Sequence, residues 1–304
     1  MDSLLPIWHA ARFWKNIPLL LIYFSGLFLV DNDASWHVVL MGAIVLMSAS
    51  FYMTHLNVIT DHELDKAKKP DLYNALNQNM RLSKNVMAFE FLLSIFGLVG
   101  LWILGYGYAA LALLVFFIVT IIYSYNFITF NSPAKHRLKV YWWGHIIVLI
   151  LGYLALWLAG YFIAKPLVDD SLPFWVVLFS MVSLSEYSLF LLESSIDHKE
   201  EKEHKLKSMS ALIGDKATNT VSLLLGILAL AMLLCIPLWF DVSLHLLLAA
   251  FLPPMILRVA FEFYVLLSGS FTKRHYLKFH VPDILYLGTR LYTLAVIAYF
   301  HFLS

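Results

Sequence analysis

The chain has 304 residues, of which 61% are hydrophobic and 13% charged, with a formal net charge of +1 at pH 7. A soluble domain is about half apolar and about a quarter charged, so this composition excludes a soluble enzyme or a disordered chain and implies a polytopic membrane protein. The near-neutral balance argues against nucleic-acid binding, and the single cysteine, Cys235, excludes an intrachain disulfide framework.

A bilayer-crossing helix needs about 20 mostly apolar residues. Nine runs are read as such helices, at 17–30, 36–56, 84–105, 107–127, 141–163, 173–192, 218–240, 243–267 and 283–303. They are continuous rather than alternating, which argues against a strand barrel. The first run follows Arg12 and Lys15 but ends at Asp31-Asn32-Asp33 without a small-residue cleavage pattern, so it reads as a span and not a cleavable signal. The expected fold is all-α: nine transmembrane helices in one bundle, a single membrane-embedded domain over 1–304, with a cytoplasmic cap formed by the polar connections.

The connections alternate in charge. Segments 1–16, 57–83, 128–140, 193–217 and 268–282 are rich in Lys and Arg. The intervening ones, at 31–35, Gly105-Tyr106, 164–172 and Asp241, are short or acidic and contain only Lys165 as a basic residue. By the positive-inside rule the N-terminus and the long polar connections are cytoplasmic, and nine spans put the C-terminus on the far side. The expected location is the plasma (inner) membrane.

Two of the cytoplasmic connections carry matched oxygen triples. Asn57, Asp61 and Asp65 follow the second run; Glu193, Asp197 and Glu201 follow the sixth. Spacing of i, i+4 and i+8 puts each triple along one face of a helix. Like charges four apart repel, and carboxylates near a bilayer are costly, so a compensating hard cation is expected. Mg²⁺ prefers oxygen ligands and is commonly shared between carboxylates and substrate phosphates. Two facing triples suit several such ions around one diphosphate. A third connection holds Lys135, Arg137 and Lys139 after Tyr123, and guanidinium and ammonium groups suit a phosphate-rich ligand.

With these motifs in order, the sequence resembles the UbiA superfamily of intramembrane prenyltransferases. Asn57, Asp61 and Asp65 match that family's Asn-x-x-x-Asp-x-x-x-Asp motif, and Glu63 to Asp71 resembles its continuation in the archaeal lipid branch. Glu193, Asp197 and Glu201 stand where the second motif has three aspartates; Lys205 and Ser208 stand where Gly and Thr are common, and Gly214 keeps a glycine. Tyr123-Ser124-Tyr125, Pro133 and Arg137-Leu138-Lys139 are similar to a further family segment.

The resemblance implies transfer of an isoprenyl group from a polyprenyl diphosphate to a lipophilic or aromatic acceptor, with Mg²⁺ as cofactor and membrane lipid as the surroundings. Asn57, Asp61, Asp65, Glu193, Asp197 and Glu201 are then the metal-holding residues, and Asp61, Asp65, Asp197 and Glu201 the catalytic core. Arg137 and Lys139 would contact the diphosphate, with Lys66, Lys69 and Tyr123 as further contacts. His62 and His198 follow the central aspartates and suit carboxylate orientation. A terpene cyclase of the same fold and a cation or solute transporter are the alternatives. Within the spans lie Glu90, Glu186, Arg258, Glu262 and Arg290, candidates for function by default. Arg258 and Glu262 are spaced to pair with each other. Glu186, seven residues before Glu193, is a candidate acceptor-side base or an interhelical hydrogen-bonding group.

Overall fold

The structure, a computed structural model, describes residues 13–30, 34–60, 70–124, 141–196, 209–240, 244–268 and 281–303. The described residues form helices and their connections: α1 (Phe13–Phe28), α2 (Trp36–Thr60), α3 (Pro70–Ile103), α4 (Gly107–Ser124), α5 (Trp142–Ala164), α6 (Leu172–Ile196), the short α7 (Met209–Ile213), α8 (Asp215–Trp239), α9 (Leu244–Ser268) and α10 (Val281–Leu303). An apolar run in lipid has no water to satisfy its N–H and C=O groups, so the helix, which satisfies them internally, is its stable form.

Six of these helices contain stretches long and apolar enough to cross a bilayer: Trp36–Asn57, Met80–Ile103, Trp142–Ala164, Leu172–Leu192, Asp215–Trp239 and His245–Ser268. Asn16–Phe28 and Gly107–Tyr123 are apolar but shorter. The expected break at Gly105-Tyr106 is a tight turn. Gly105 adopts φ 90°, and the Tyr106 N–H donates back to the Leu101 carbonyl at 2.9 Å. Only a residue without Cβ takes this left-handed conformation cheaply.

One expectation is corrected. The segment 57–83 reads as a polar connection, yet helix α3 already begins at Pro70 and runs for 34 residues. Proline suits a first helical position because its missing N–H would have no intrahelical partner there. Leu72, Ala75, Leu76 and Met80 recur at helical spacing in the turns that follow, a signal that the surrounding polar residues outweigh.

Consecutive long helices pack against each other, and α10 packs back on α1, so the described helices close into a ring. Large apolar side chains such as Phe89, Phe96, Trp102, Leu238 and Leu267 face outward, as expected where lipid is the solvent. The main core gathers Ile22, Leu46, Leu113, Leu156, Phe179 and Phe251 from α1, α2, α4, α5, α6 and α9.

At the α1–α5 crossing the two backbones touch. A Cβ on Gly26 would lie 2.3 Å from the Trp157 carbonyl oxygen, and one on Gly160 would lie 2.0 Å from the Tyr23 carbonyl oxygen. Small residues permit such an approach, and close packing is what drives helix association within lipid. On the opposite flank of α1, the Tyr23 hydroxyl donates to the Val39 carbonyl of α2 at 3.0 Å.

Candidate active site

Three sets of contacts fix which helix ends share a rim. α1 and α2 are antiparallel, because Asn16 donates to Thr54 at 3.3 Å while Tyr23 reaches Val39. α1 and α10 run the same way, because the Phe28 ring meets His301 at 5.4 Å and Phe302 at 5.3 Å near both C-terminal ends. α6 opposes α10, with Arg290 on Glu186 and Leu285 and Tyr286 packed on the cluster of Leu189, Leu192 and Val265. The C-terminal ends of α2 and α6 therefore lie on one rim of the ring. Asn57 sits in the last turn of α2, and Asp61 follows directly after its end at Thr60. Glu193 sits in the last turn of α6, and Asp197 follows directly after its end at Ile196.

About 10 Å below that rim, counting seven residues at 1.5 Å each from Glu193 to Glu186, lies a buried ionic network. The Arg258 guanidinium donates to Glu186 Oε1 and to Thr289 Oγ1, each at 2.6 Å. Arg290 donates to Glu186 Oε2 at 2.7 Å. The guanidinium carbon of Arg290 also lies 5.1 Å from the ring centres of both Tyr153 and Tyr286, a cation–π arrangement that holds it in place. All three charged groups are buried. Burying charge is tolerable only when it is paired and hydrogen-bonded, and here one carboxylate serves two guanidiniums.

A small cavity adjoins the network. Ser25 of α1, Trp157 of α5, Glu186 of α6, Phe251 and Arg258 of α9, and Arg290 and Thr293 of α10 contribute to its lining. A second buried pair joins α2 to α3, His55 Nδ1 to Glu90 Oε2 at 2.9 Å. Further around the ring, the Ser222 hydroxyl of α8 donates to the Ser188 carbonyl of α6 at 2.6 Å.

The model of the UbiA prenyltransferase family matches residues 19–281. This chain belongs to that family. Members of the family transfer prenyl groups. A UbiA homologue from Archaeoglobus fulgidus bound to GPP and Mg²⁺ superposes with a TM-score of 0.68 at 16% identity, covering 96% of this chain and 99% of the homologue. An apo UbiA homologue from Aeropyrum pernix K1 gives 0.71 at 17% identity, covering 93% and 97%. A structure described as digeranylgeranylglyceryl phosphate synthase gives 0.68 at 18% identity, covering 98% of both chains. At these identities the superpositions speak for the fold. No curated protein sequence matches.

Of the expected site residues in this UbiA-family chain, Asn57 and Tyr123 are described and half-buried, at the C-terminal ends of α2 and α4. The backbone of Glu193 is placed on α6, but its side chain is outside the described part. Asp61, Asp65, Lys66, Lys69, Arg137, Lys139, Asp197 and Glu201 lie outside the described residues, as do His62, His198, Lys135, Lys205 and Ser208. Among the described residues no group of three His, Cys, Asp or Glu side chains stands ready to hold a metal.

Glu90, Glu186, Arg258, Glu262 and Arg290 are all buried, but their partners differ from the local expectation. Arg258 binds Glu186 on another helix. Glu262 lies one turn further along α9 and is directed at α8, where its Oε2 would be 2.6 Å from a Cβ on Gly226. Glu186 is held by two arginines, which removes it as a free base and makes it an interhelical anchor. Sequence reasoning passed over His55, Tyr153, Trp157 and Thr289. A histidine inside an apolar run, two residues before Asn57, was the available signal for the first; nothing local marks the others.

Proposed function

We propose that this UbiA-family protein is a Mg²⁺-dependent intramembrane prenyltransferase that moves an isoprenyl group from a polyprenyl diphosphate to a lipophilic or aromatic acceptor. One observation carries the reading. The helices that lead into the two acidic triples end on the same rim of a closed ring, above a buried ionic network. The homologue bound to GPP and Mg²⁺ supports the donor class and the ion.

The two triples offer oxygen donors only, which fits a hard divalent cation and not a soft one. Asn57, Asp61, Asp65, Glu193, Asp197 and Glu201 are the residues that would hold it. When bound, Mg²⁺ neutralises and orients a diphosphate leaving group. Arg137 and Lys139 add fixed positive charge there, with Lys66, Lys69 and Tyr123 beside them. As the carbon–oxygen bond of the allylic diphosphate breaks, positive charge develops on the prenyl carbon. The packed interior of the ring keeps water from it, and the acceptor captures it.

In this reading all nine long helices span the bilayer, residues 1–304 form one domain, and the polar connections cap the cytoplasmic face. The N-terminus is cytoplasmic, the C-terminus lies on the far side, and the plasma membrane is the location. The alternating basic and non-basic connections support this orientation. The two shorter helices cross because their flanking residues extend them or the bilayer thins locally.

The test is incubation of the purified protein with geranylgeranyl diphosphate and shorter and longer prenyl diphosphates, with Mg²⁺ or with EDTA, first alone and then with an acceptor panel. Release of diphosphate only with Mg²⁺ and a conjugate with one acceptor are expected. A cyclic hydrocarbon formed without acceptor would replace transferase by cyclase, and no metal-dependent release with any chain length would overturn the reading. Asp61→Asn and Asp197→Asn are each expected to abolish release while the helical circular-dichroism signal persists. Cysteine labelling should place positions 65 and 201 on the same membrane side; opposite sides would end the proposal.

A further inference from the structure

Two ionisable side chains meet inside the bilayer where α2 approaches the rim. His55 Nδ1 lies 2.9 Å from Glu90 Oε2, and the two residues are 2% and 8% exposed. Ionisable groups within a span are costly, and apolar side chains would join two helices without that cost. Resting on the transferase reading, we propose that His55 and Glu90 are positioning residues for the first metal-holding triple. Their pair fixes the rotation of the end of α2, and with it the direction of Asn57 and of the chain that leaves toward Asp61.

The place of the pair is the first reason. His55 precedes Asn57 by two residues on α2, a rise of about 3 Å and a rotation of about 200°. The two side chains therefore leave nearly opposite faces of the helix. Holding the His55 face against α3 turns Asn57 away from α3. A hydrogen bond is directional, so it sets the rotation of the helix, which an apolar contact leaves loose. The partners are 35 residues apart in sequence and stand on either side of the connection that carries Asp61, Asp65, Lys66 and Lys69. One pair thus ties both legs of that connection.

The second reason is that the same stretch is held from other sides as well. Asn16 of α1 donates to Thr54 Oγ1 at 3.3 Å, and Thr54 donates to the Ser50 carbonyl at 2.9 Å. The Tyr52 ring meets Phe91 of α3 at 5.6 Å and Phe117 of α4 at 5.4 Å. Three neighbouring helices thus grip α2 between Tyr52 and His55, just before Asn57. The last carbonyls of a helix have no intrahelical partner, so an end frays unless something holds it. Groups that orient metal ligands matter nearly as much as the ligands, and losing one typically costs about 10- to 100-fold in metal affinity.

The experiment uses the full chain in lipid nanodiscs. It measures the Mg²⁺ concentration that half-saturates geranyl diphosphate binding, with thermal unfolding recorded on the same samples. Glu90→Leu removes the acceptor and is expected to raise that concentration at least about tenfold. Glu90→Gln keeps an acceptor oxygen at the same reach and is expected to stay close to the unmodified protein. The double variant His55→Phe/Glu90→Leu strands no polar group, so its unfolding midpoint should recover. Its Mg²⁺ requirement should stay raised, because the apolar contact restores cohesion and not direction. Tyr23→Phe removes a hydrogen bond at the other end of α2 and should leave the Mg²⁺ requirement unchanged. An unaltered requirement in Glu90→Leu or in the double variant, or an equal rise in Tyr23→Phe, would overturn the positioning role and leave a pair that serves cohesion alone. A rise in Glu90→Gln as large as in Glu90→Leu would overturn it too, since charge and not direction would then carry the effect. If the unmodified protein binds geranyl diphosphate without Mg²⁺, or not at all, the transferase reading itself falls, and the positioning role with it.

Discussion

Two regions of the ring are joined by opposite means. At the α1–α5 crossing, Gly26 and Gly160 let backbone meet backbone, and the contact is made of dispersion and shape. At the α6–α9–α10 junction, the helices are tied by Glu186, Arg258 and Arg290, charges that lipid strongly disfavours. Dispersion needs nothing but closeness. The ionic junction is vulnerable, because removing one member strands the others. A fold that needed only cohesion could use the first device throughout, so the second, beside a cavity, implies a site kept polar for use.

The strongest way to break the comparison is to strand a charge. Glu186→Leu leaves two guanidiniums buried without their carboxylate, and loss of one partner of a buried pair typically costs about 3–5 kcal/mol. Thermal unfolding in detergent should show a larger fall for this variant than for any single substitution at the α1–α5 crossing. Replacing Glu186, Arg258 and Arg290 together by apolar residues should recover most of that loss, since well-packed apolar replacements of buried ion pairs are often neutral or stabilising. If the triple variant regains stability, the fold does not need the charges for cohesion. If it stays as unstable as Glu186→Leu, the charges are structural.

Next in size is Gly160→Ala. The added Cβ meets the Tyr23 carbonyl and also comes within 2.8 Å of the Leu27 nitrogen. Both are backbone atoms of a helix that cannot yield by changing rotamer. Overpacking a tight contact costs about 1–3 kcal/mol. Gly288, with nothing near its Cβ position, is the control: Gly288→Ala should be neutral or slightly stabilising, since alanine is the better helix former.

These two regions also differ in how far the sequence announces them. The long helices were legible because apolar runs in lipid have one backbone solution, and the Gly105 turn because it interrupts two of them. The helical segment after Pro70 was not, since Asn74, Asn77, Gln78 and Asn79 make it read as a polar connection, although Leu72, Ala75, Leu76 and Met80 recur at helical spacing. Arg258 and Glu262 sit at a pairing distance along α9, and local spacing favours that pair. The fold instead gives Arg258 a carboxylate on α6, because burial from three helices brings Glu186 between two guanidiniums. That outcome depends on which helix faces which, and no local rule contains it. Gly26 and Gly160 are likewise ordinary glycines until the crossing is known. Of the acidic triples only the start is described, and the helices that lead into them end on a common rim.

A smaller effect sharpens the dispersive side of the comparison. The Tyr23 hydroxyl donates to Val39, and Gly42 leaves room for it, a Cβ there falling 2.3 Å from the hydroxyl oxygen. Tyr23→Phe removes that single bond and keeps the ring. Interhelical hydrogen bonds within membranes average about 0.6 kcal/mol, so the unfolding midpoint should fall only slightly. A loss as large as that of Gly160→Ala would mean that the α1–α2 contact depends on polarity as much as the ionic junction does.

The smallest effect lies at the opposite rim, in the connection between α5 and α6. There Lys165 pairs with Asp169, and Asp169 also accepts from the Ser171 hydroxyl at 2.6 Å and the Ser171 N–H at 3.1 Å. The Lys165 ammonium and the Ser171 donors hold the Asp169 carboxyl well below the usual carboxylate range. A carboxyl whose folded pKa is depressed contributes stability above its unfolded pKa of about 3.9, and loses it as pH falls through the folded value. The group is partly exposed, so solvent screening keeps the contribution small. Asp169→Asn should therefore lower the unfolding midpoint slightly at pH 6, and the gap to the unmodified protein should narrow steadily as the pH is taken below 4. A gap that persisted unchanged at pH 2 would assign the effect to the lost hydrogen-bond geometry around Ser171, with charge playing no part.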